Sequence, residues 1–367
     1  MKRYGGFVPI AMVMLTLSML LIGQAEVAIA KDDVITLRFS THMSAAHKQV
    51  TNAMDPYAKM IKEASGGRLN VKIYTGGVLH GPKDGFKACA SDITDFTQAY
   101  PGYMPGNFHM YFALHLPFLF PNGYVATLVT EELYPKYLKK EYEAMGVYLM
   151  ASPQTSTYQI LTKDKPIRRL EDLKGVKLRS PGGLTNDIIA SLGAVPVSIP
   201  AVETYTGLQT GLVDGVFMNK IDIVANRLYE TAKYLTFLDV SVYAVPTAMN
   251  KKTYDSLPKN LRLIVYNSNR KFAQMMTGSY EKDAEKQLRE VANKYGMVIT
   301  SLSEKEKSHF TDAVKNLENV FIKENEARGL PVREFLKEIR ALTTKYEKWS
   351  PEQIWEQVSK YPIQGIN

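Results

Sequence analysis

Three observations predict an α/β fold in about two domains. Short apolar strands alternate with helical stretches in two separate regions, 34–98 and 158–218. The chain has 367 residues, and a domain takes roughly 150. Hydrophobic residues make up 45% and charged residues 22%, a balance that buries a core without metals or disulfides. This composition excludes a disordered, collagen-like or polytopic membrane chain. A single cysteine, Cys89, rules out an intrachain disulfide framework and a Cys-based zinc cluster. The formal charge of +8 is mixed in sign along the chain, as in Lys282-Asp283-Ala284-Glu285-Lys286. That reads as a solvated surface, and no nucleic-acid partner is expected.

The elements follow in order. Lys2 and Arg3 precede an uncharged apolar stretch over 7–23, and Ala28-Ile29-Ala30 follows. A basic start, apolar centre and small-x-small site are the layout of a secretory signal peptide. The apolar run is shorter than the ~20 residues of a spanning helix, so residues 1–30 are expected to be removed after Ala30 and the protein exported. Cys89 in Phe86-Lys87-Ala88-Cys89-Ala90 then reads as a buried position on a short helix.

Residues 34–40 read as a strand, 45–64 as a helix stopped by Ser65-Gly66-Gly67, and 69–74 as an alternating strand. A short helix over 84–90 and a strand over 93–98 complete the first unit. The second unit has strands over 158–162, 176–179, 195–198 and 214–218, with helices over 185–192 and 203–210 between them. From 258 to 295 no further proline occurs after Pro258, and apolar positions recur at Leu261, Ile264, Val265, Phe272, Met275, Met276, Leu288 and Val291. If continuous, this is one helix about 55 Å long, enough to run across both domains. Ser303 with Glu306 caps a further helix whose apolar face is Phe310, Ala313, Val314, Leu317 and Phe321. Trp349 and Trp355 read as packing in a docking tail.

No Gly-x-Ser-x-Gly elbow and no His-Glu-x-x-His helix is present. The stretch 76–83 spaces two glycines as a phosphate loop does, but Pro82 and Lys83 replace the Lys-Ser/Thr pair. The histidine pairs His42/His47 and His109/His115 lack helical i,i+4 spacing, so no metal site is expected. Tyr100, Tyr103 and Tyr111 crowd the stretch after the third strand, where open α/β sheets bind ligands. Packing at a loop is the plainer reading for any one of them. Arg179 ends a strand and precedes Ser180-Pro181-Gly182-Gly183. There its planar fork fits a carboxylate with two parallel charge-assisted bonds, although pattern alone allows a surface ion pair equally.

At this point the residues resemble a family. Lys174-Gly175-Val176-Lys177-Leu178-Arg179-Ser180-Pro181, Leu192-Gly193-Ala194-Val195-Pro196-Val197 and the stretch 200–215 (PAVETYTGLQTGLVDG) look like the solute-binding protein of tripartite ATP-independent periplasmic (TRAP) transporters, the dicarboxylate-binding DctP-like kind. The stretch 251–258 (KKTYDSLP) fits as well. The resemblance implies a two-domain periplasmic binding protein fold, hinged by crossing strands and a long helix, that closes over an organic acid and delivers it to a membrane permease pair. It divides the chain into 31–156 with 245–284, and 157–244 with 285–367 including the C-terminal helices. A monomer without cofactor or metal is expected, and no enzyme. A sensor's ligand-binding subunit and an exported hydrolase are the alternatives, but no nucleophile–base pair for the hydrolase is found.

By the resemblance, Arg179 clamps the substrate carboxylate. Gln159, Tyr100, His42, Met218 and Asn219 are candidate lining residues. Sialate-binding members carry an arginine where this chain has Gln159. Many members follow Asp-Gly with x-Glu-Asn-Pro, where this chain has Val216-Phe217-Met218-Asn219. Both changes remove charge or polarity from the expected pocket. Hydrogen bonds to a charged group contribute ~1.5–3 kcal/mol each, and a second buried carboxylate without a second cation costs several. A monocarboxylate, small or aromatic, is therefore expected over a C4-dicarboxylate. A protonated or repositioned His42 would weaken that inference.

Overall fold

The computed structural model describes Met1 and residues 34–366. The signal segment read over 1–30 lies, apart from Met1, outside the described residues. Two sheets organise the rest. The first has strand order β2-β1-β3-β10-β4, from β1 (Ile35–Ser40), β2 (Leu69–Tyr74), β3 (Phe96–Gln98), β4 (Val147–Ala151) and β10 (Thr247–Asn250). The second has order β11-β9-β5-β8-β6-β7, from β5 (Tyr158–Thr162), β6 (Lys177–Ser180), β7 (Val195–Ser198), β8 (Gly215–Asn219), β9 (Tyr234–Thr236) and β11 (Val298–Thr300). β1 lies parallel to β2 and β3, while β10 runs antiparallel to β3 and β4. In the second sheet β6 is parallel to β7 and β8, and β5 is antiparallel to β8 and β9. The chain thus returns to each sheet after visiting the other, so sequence order does not separate the lobes.

Two crossings join them, at 152–157 and 237–246. They pair with each other: Gln154 bridges Ala244, Thr155 N donates to Tyr243 O at 2.9 Å and Val245 N to Pro153 O at 2.9 Å. Paired backbone at a hinge keeps its polar groups satisfied while allowing a bend. A helix makes the third connection. The expected 258–295 helix is instead two, Lys259–Glu281 and Ala284–Lys294. Lys282 is extended and Asp283 adopts a left-handed φ of 56°, which ends the hydrogen-bond ladder. The first piece, about 34 Å long, still reaches both lobes. Its Phe272 and Met276 join the core with β1 and β3, and its Tyr280 joins the core of the second sheet.

The helix read after Ser303 is also split, into Glu304–Val314 and Leu317–Glu326, with Ser303 Oγ accepting from Glu306 N at 3.2 Å. Phe310 and Val314 pack under the second sheet, whereas Phe321 packs in the first lobe. The C-terminal helices Val332–Tyr346 and Pro351–Lys360 follow it there, through Phe335, Leu336, Ile339, Ile354 and Val358. The tail therefore packs on the helix Gly123–Tyr137 of the first lobe, not with the second sheet as the sequence division had it. Cys89 is buried on the helix Gly85–Ala90. Trp349 packs on Tyr346 at 4.7 Å, while Trp355 stays exposed.

Candidate binding site between the two sheets

The strand ends that face the other lobe carry the site. From the first sheet come the turn after β1, with His42 and His47, and the turn after β3, with Tyr100 and Tyr103. From the second come Tyr158 at the start of β5, Arg179 near the end of β6, and the turn after β8 that leads into the helix Lys220–Ala225. β5 is antiparallel to β8, so Tyr158 opposes Asn219 and its start lies at the same edge as the ends of β8 and β6.

Arg179 is 2% exposed. Its Nε donates to Ile199 O at 3.0 Å, and among the described residues it forms no ion pair with a carboxylate. Lys220, by contrast, pairs with Asp239 at 2.8 Å. Burial pushes the Tyr103 hydroxyl up, and the adjoining Arg179 guanidinium opposes that shift. A buried guanidinium without a counter-ion is costly. The Ser180-Pro181-Gly182-Gly183 turn holds the strand end that carries it: Gly182 N donates to Ser180 Oγ at 3.0 Å, and both glycines have positive φ.

That turn is also where the lobes touch. A Cβ on Gly182 would lie 2.4 Å from Gly102 O, and one on Gly102 would lie 2.6 Å from Pro181 O. Two glycines therefore let backbone meet backbone across the cleft. Next to this contact Phe112 packs on Gly183, where a Cβ would sit 2.2 Å from its ring.

The first lobe supplies rings. His42 and Tyr100 meet edge-on at 5.1 Å, and Tyr100 meets Tyr103 at 5.5 Å. Tyr158 stacks on Tyr243 of the returning crossing at 6.0 Å, and Tyr243 stacks on His115 at 4.3 Å. Both ring nitrogens of His42 and the Tyr100 hydroxyl are buried without a hydrogen-bond partner among the described residues. Burial, with His80 and His47 adding to it, pulls His42 down to about 4, so it is neutral at pH 7. Behind the rings a polar chain runs from Thr41 through Gln98 and Gln49 to Tyr280, tying β1 and β3 to the connecting helix.

The sequence candidates divide. Arg179, His42 and Tyr100 are brought together. Asn219 sits beside them but caps the helix Lys220–Ala225, its Oδ1 accepting from Asp222 N at 2.9 Å. Met218 is a buried member of the second sheet's core. Gln159 is drawn to another corner: its Nε2 donates to Asp239 Oδ1 at 2.6 Å, and its Oε1 accepts from Leu238 N at 2.7 Å. Its amide is consumed by its own lobe, which leaves little of it for a ligand. Tyr111 likewise serves the hinge, donating to Ala244 O at 2.8 Å. Sequence reasoning weighed His47 only as a metal ligand and did not single out Asp222. His47 Nε2 lies 3.3 Å from Asp222 Oδ1, one from each lobe, both buried. The Asn219-x-x-Asp222 spacing, a helix-start pattern, was the available signal for the second.

The family model DctP, bacterial extracellular solute-binding protein, family 7, matches residues 39–325, a span that contains every site residue named above. The chain belongs to that family. A crystal structure of a TRAP solute-binding protein from Rhodoferax ferrireducens, in complex with copurified benzoate, superposes with a TM-score of 0.80 at 24% identity, covering 86% of this chain and 99% of that one. One from Bordetella bronchiseptica with bound (R)- and (S)-mandelate gives 0.78 at 24%, covering 85% and 99%. Among curated proteins, the ectoine-binding periplasmic protein TeaA of Halomonas elongata is 25% identical over 245 residues, 63% of this chain and 69% of TeaA. The matched segments span 58%, 39% and 31% of the first three curated relatives. The two lobes around a hinge are thus the fold of TRAP solute-binding proteins.

Proposed function

We propose that this family member is an exported binding protein, not an enzyme, that captures an organic acid through one carboxylate between its lobes and delivers it to a TRAP membrane permease. The single observation that carries this reading is Arg179: buried at 2% exposure, at the lobe interface, with no carboxylate of the described residues paired to it. Such a guanidinium completes its fork on an incoming anion. Closure of the lobes then excludes water and strengthens that ion pair.

The neighbours favour a monocarboxylate, small or aromatic. Tyr100, Tyr103, Tyr158 and Tyr243 offer ring faces, and His42 is neutral at pH 7 and supplies no second cation. Asp222 adds a negative charge to the site, which disfavours a second carboxylate further. The benzoate and mandelate of the structural neighbours are acids of the same kind. A thermal-shift screen of mono- and dicarboxylates tests the reading. Aromatic or small monocarboxylates are expected to raise the melting temperature. Selective stabilisation by succinate or malate overturns the monocarboxylate assignment, and no response to any carboxylate overturns the carboxylate reading itself.

A further inference from the structure

Arg179 and Asp222 bring opposite charges to one site from adjacent strand ends. Arg179 lies near the end of β6, paired in register with Val216 of the neighbouring β8. Asp222 stands in the first turn of the helix that follows β8. Its carboxylate is fixed on one side only. Oδ2 accepts from Asn219 Nδ2 at 2.8 Å, and its own backbone N–H is spent on Asn219 Oδ1. Oδ1 accepts no hydrogen bond among the described residues; His47 Nε2 faces it at 3.3 Å without donating one. The Asp222 charge reaches His42, Tyr100, Tyr103 and Tyr158, and the Arg179 charge reaches His42, Tyr103 and Tyr158. Both therefore act on the same group of rings.

Polar groups without a hydrogen-bond partner among the described residues accumulate on this side. Besides Asp222 Oδ1 there are the Tyr100 hydroxyl and both nitrogens of His42, all buried. A ligand that offers only hydrocarbon beyond its carboxylate leaves these groups unsatisfied when the lobes close, and each unmet group weakens binding. A ligand with a hydroxyl or an amine satisfies them, and does so best at the charged acceptor.

We propose that Asp222 is a specificity residue that accepts a hydrogen bond from a hydroxyl or amine on the same ligand whose carboxylate Arg179 holds. The preferred ligands are then donor-bearing acids, hydroxy or amino carboxylates, over their unsubstituted counterparts. The inference rests on the carboxylate reading of the site.

Titration calorimetry on matched pairs tests it: benzoate with 3-hydroxybenzoate, phenylacetate with mandelate, and butyrate with 4-aminobutyrate. In the scaffold that binds, the donor-bearing member is expected to bind about tenfold tighter or more. Asp222→Asn keeps an acceptor for Asn219 and turns an amide toward the ligand. It is expected to bring the ratio of the two affinities to near one. His47→Asn is the control, lowering both members together and preserving the ratio. Equal affinities within every pair that binds overturn the inference, as does an Asp222→Asn variant that weakens both members alike. In either case Arg179 and the carboxylate reading stand, because the unsubstituted acid still binds. Only a lack of carboxylate response in the thermal screen removes them.

Discussion

His47 Nε2 stands 3.3 Å from Asp222 Oδ1, and the two residues belong to different lobes. His47 follows β1 of the first sheet, and Asp222 follows β8 of the second. The approach lies beside a small crevice that Ser44, Ile221 and Gln287 line together with His47. It makes closure depend on a pair that no ligand has to supply.

Removing that pair is expected to favour the open form. His47→Ala removes the close approach of the imidazole to the Asp222 carboxylate across the lobes, so ligand affinity is expected to drop, by about fivefold for each ~1 kcal/mol of closure lost. Small-angle scattering of the ligand-free variant should show a larger radius of gyration than wild type. Unchanged affinity and radius would mean the contact does not hold the lobes.

Arg179→Ala removes two charge-assisted bonds to the carboxylate, together about 3–6 kcal/mol. Affinity for any acid found in the screen is expected to fall by more than 100-fold, with the circular-dichroism spectrum unchanged. Retained affinity takes Arg179 out of the ligand-binding role.

The glycine contact sets a steric limit on closure. In Gly102→Ala the new methyl would lie 2.2 Å from the Tyr243 hydroxyl and 2.6 Å from Pro181 O. The first clash is with a side chain, the second with backbone of the opposite lobe. Affinity is expected to fall at least tenfold while the melting temperature without ligand changes little. Adding Tyr243→Phe relieves the first clash only, so the double variant should stay weak. Full recovery in that variant would place the obstruction at Tyr243 instead of at the lobe contact.

Acid should loosen the structure through its buried histidines. Burial pulls His42 to about 4 and His115 to about 3, both below the usual 6.5. The unfolded chain therefore binds their protons at a higher pH than the folded one, and stability rises with pH across the window. The His42 contribution is complete above pH 6.5 and is lost as pH falls to about 4, on the order of 3 kcal/mol in total. Urea unfolding at pH 7.5, 5.5 and 4.5 should show this loss, and His42→Asn should flatten part of it. A wild-type slope identical to that of the variant would mean that His42 takes up its proton in the folded protein as readily as in the unfolded chain.

The strands and the anchoring arginine were legible because they depend on local pattern. β1, β2, β5 and β7 fall within a residue or two of the positions read from alternation and turn residues, and Arg179 was marked by its place between an apolar strand and a Ser-Pro-Gly-Gly turn. The ends of helices were less so. Nothing in the apolar spacing over 258–295 or 304–321 reveals that Asp283 turns left-handed, or that the chain changes lobes between Val314 and Phe321. Periodicity reports which face of a helix is buried, not against which sheet.

By itself, then, the sequence determined an α/β chain with an export signal's layout and one arginine poised at a strand end. The tertiary structure decided which charges meet. It spent Gln159 on Asp239, set His47 against Asp222, and left Arg179 buried without a carboxylate of its own among the described residues. The reason is distance along the chain. Alternation and capping act over a few residues, whereas these pairings join strand ends from two sheets that the chain visits alternately, and only packing brings them within reach.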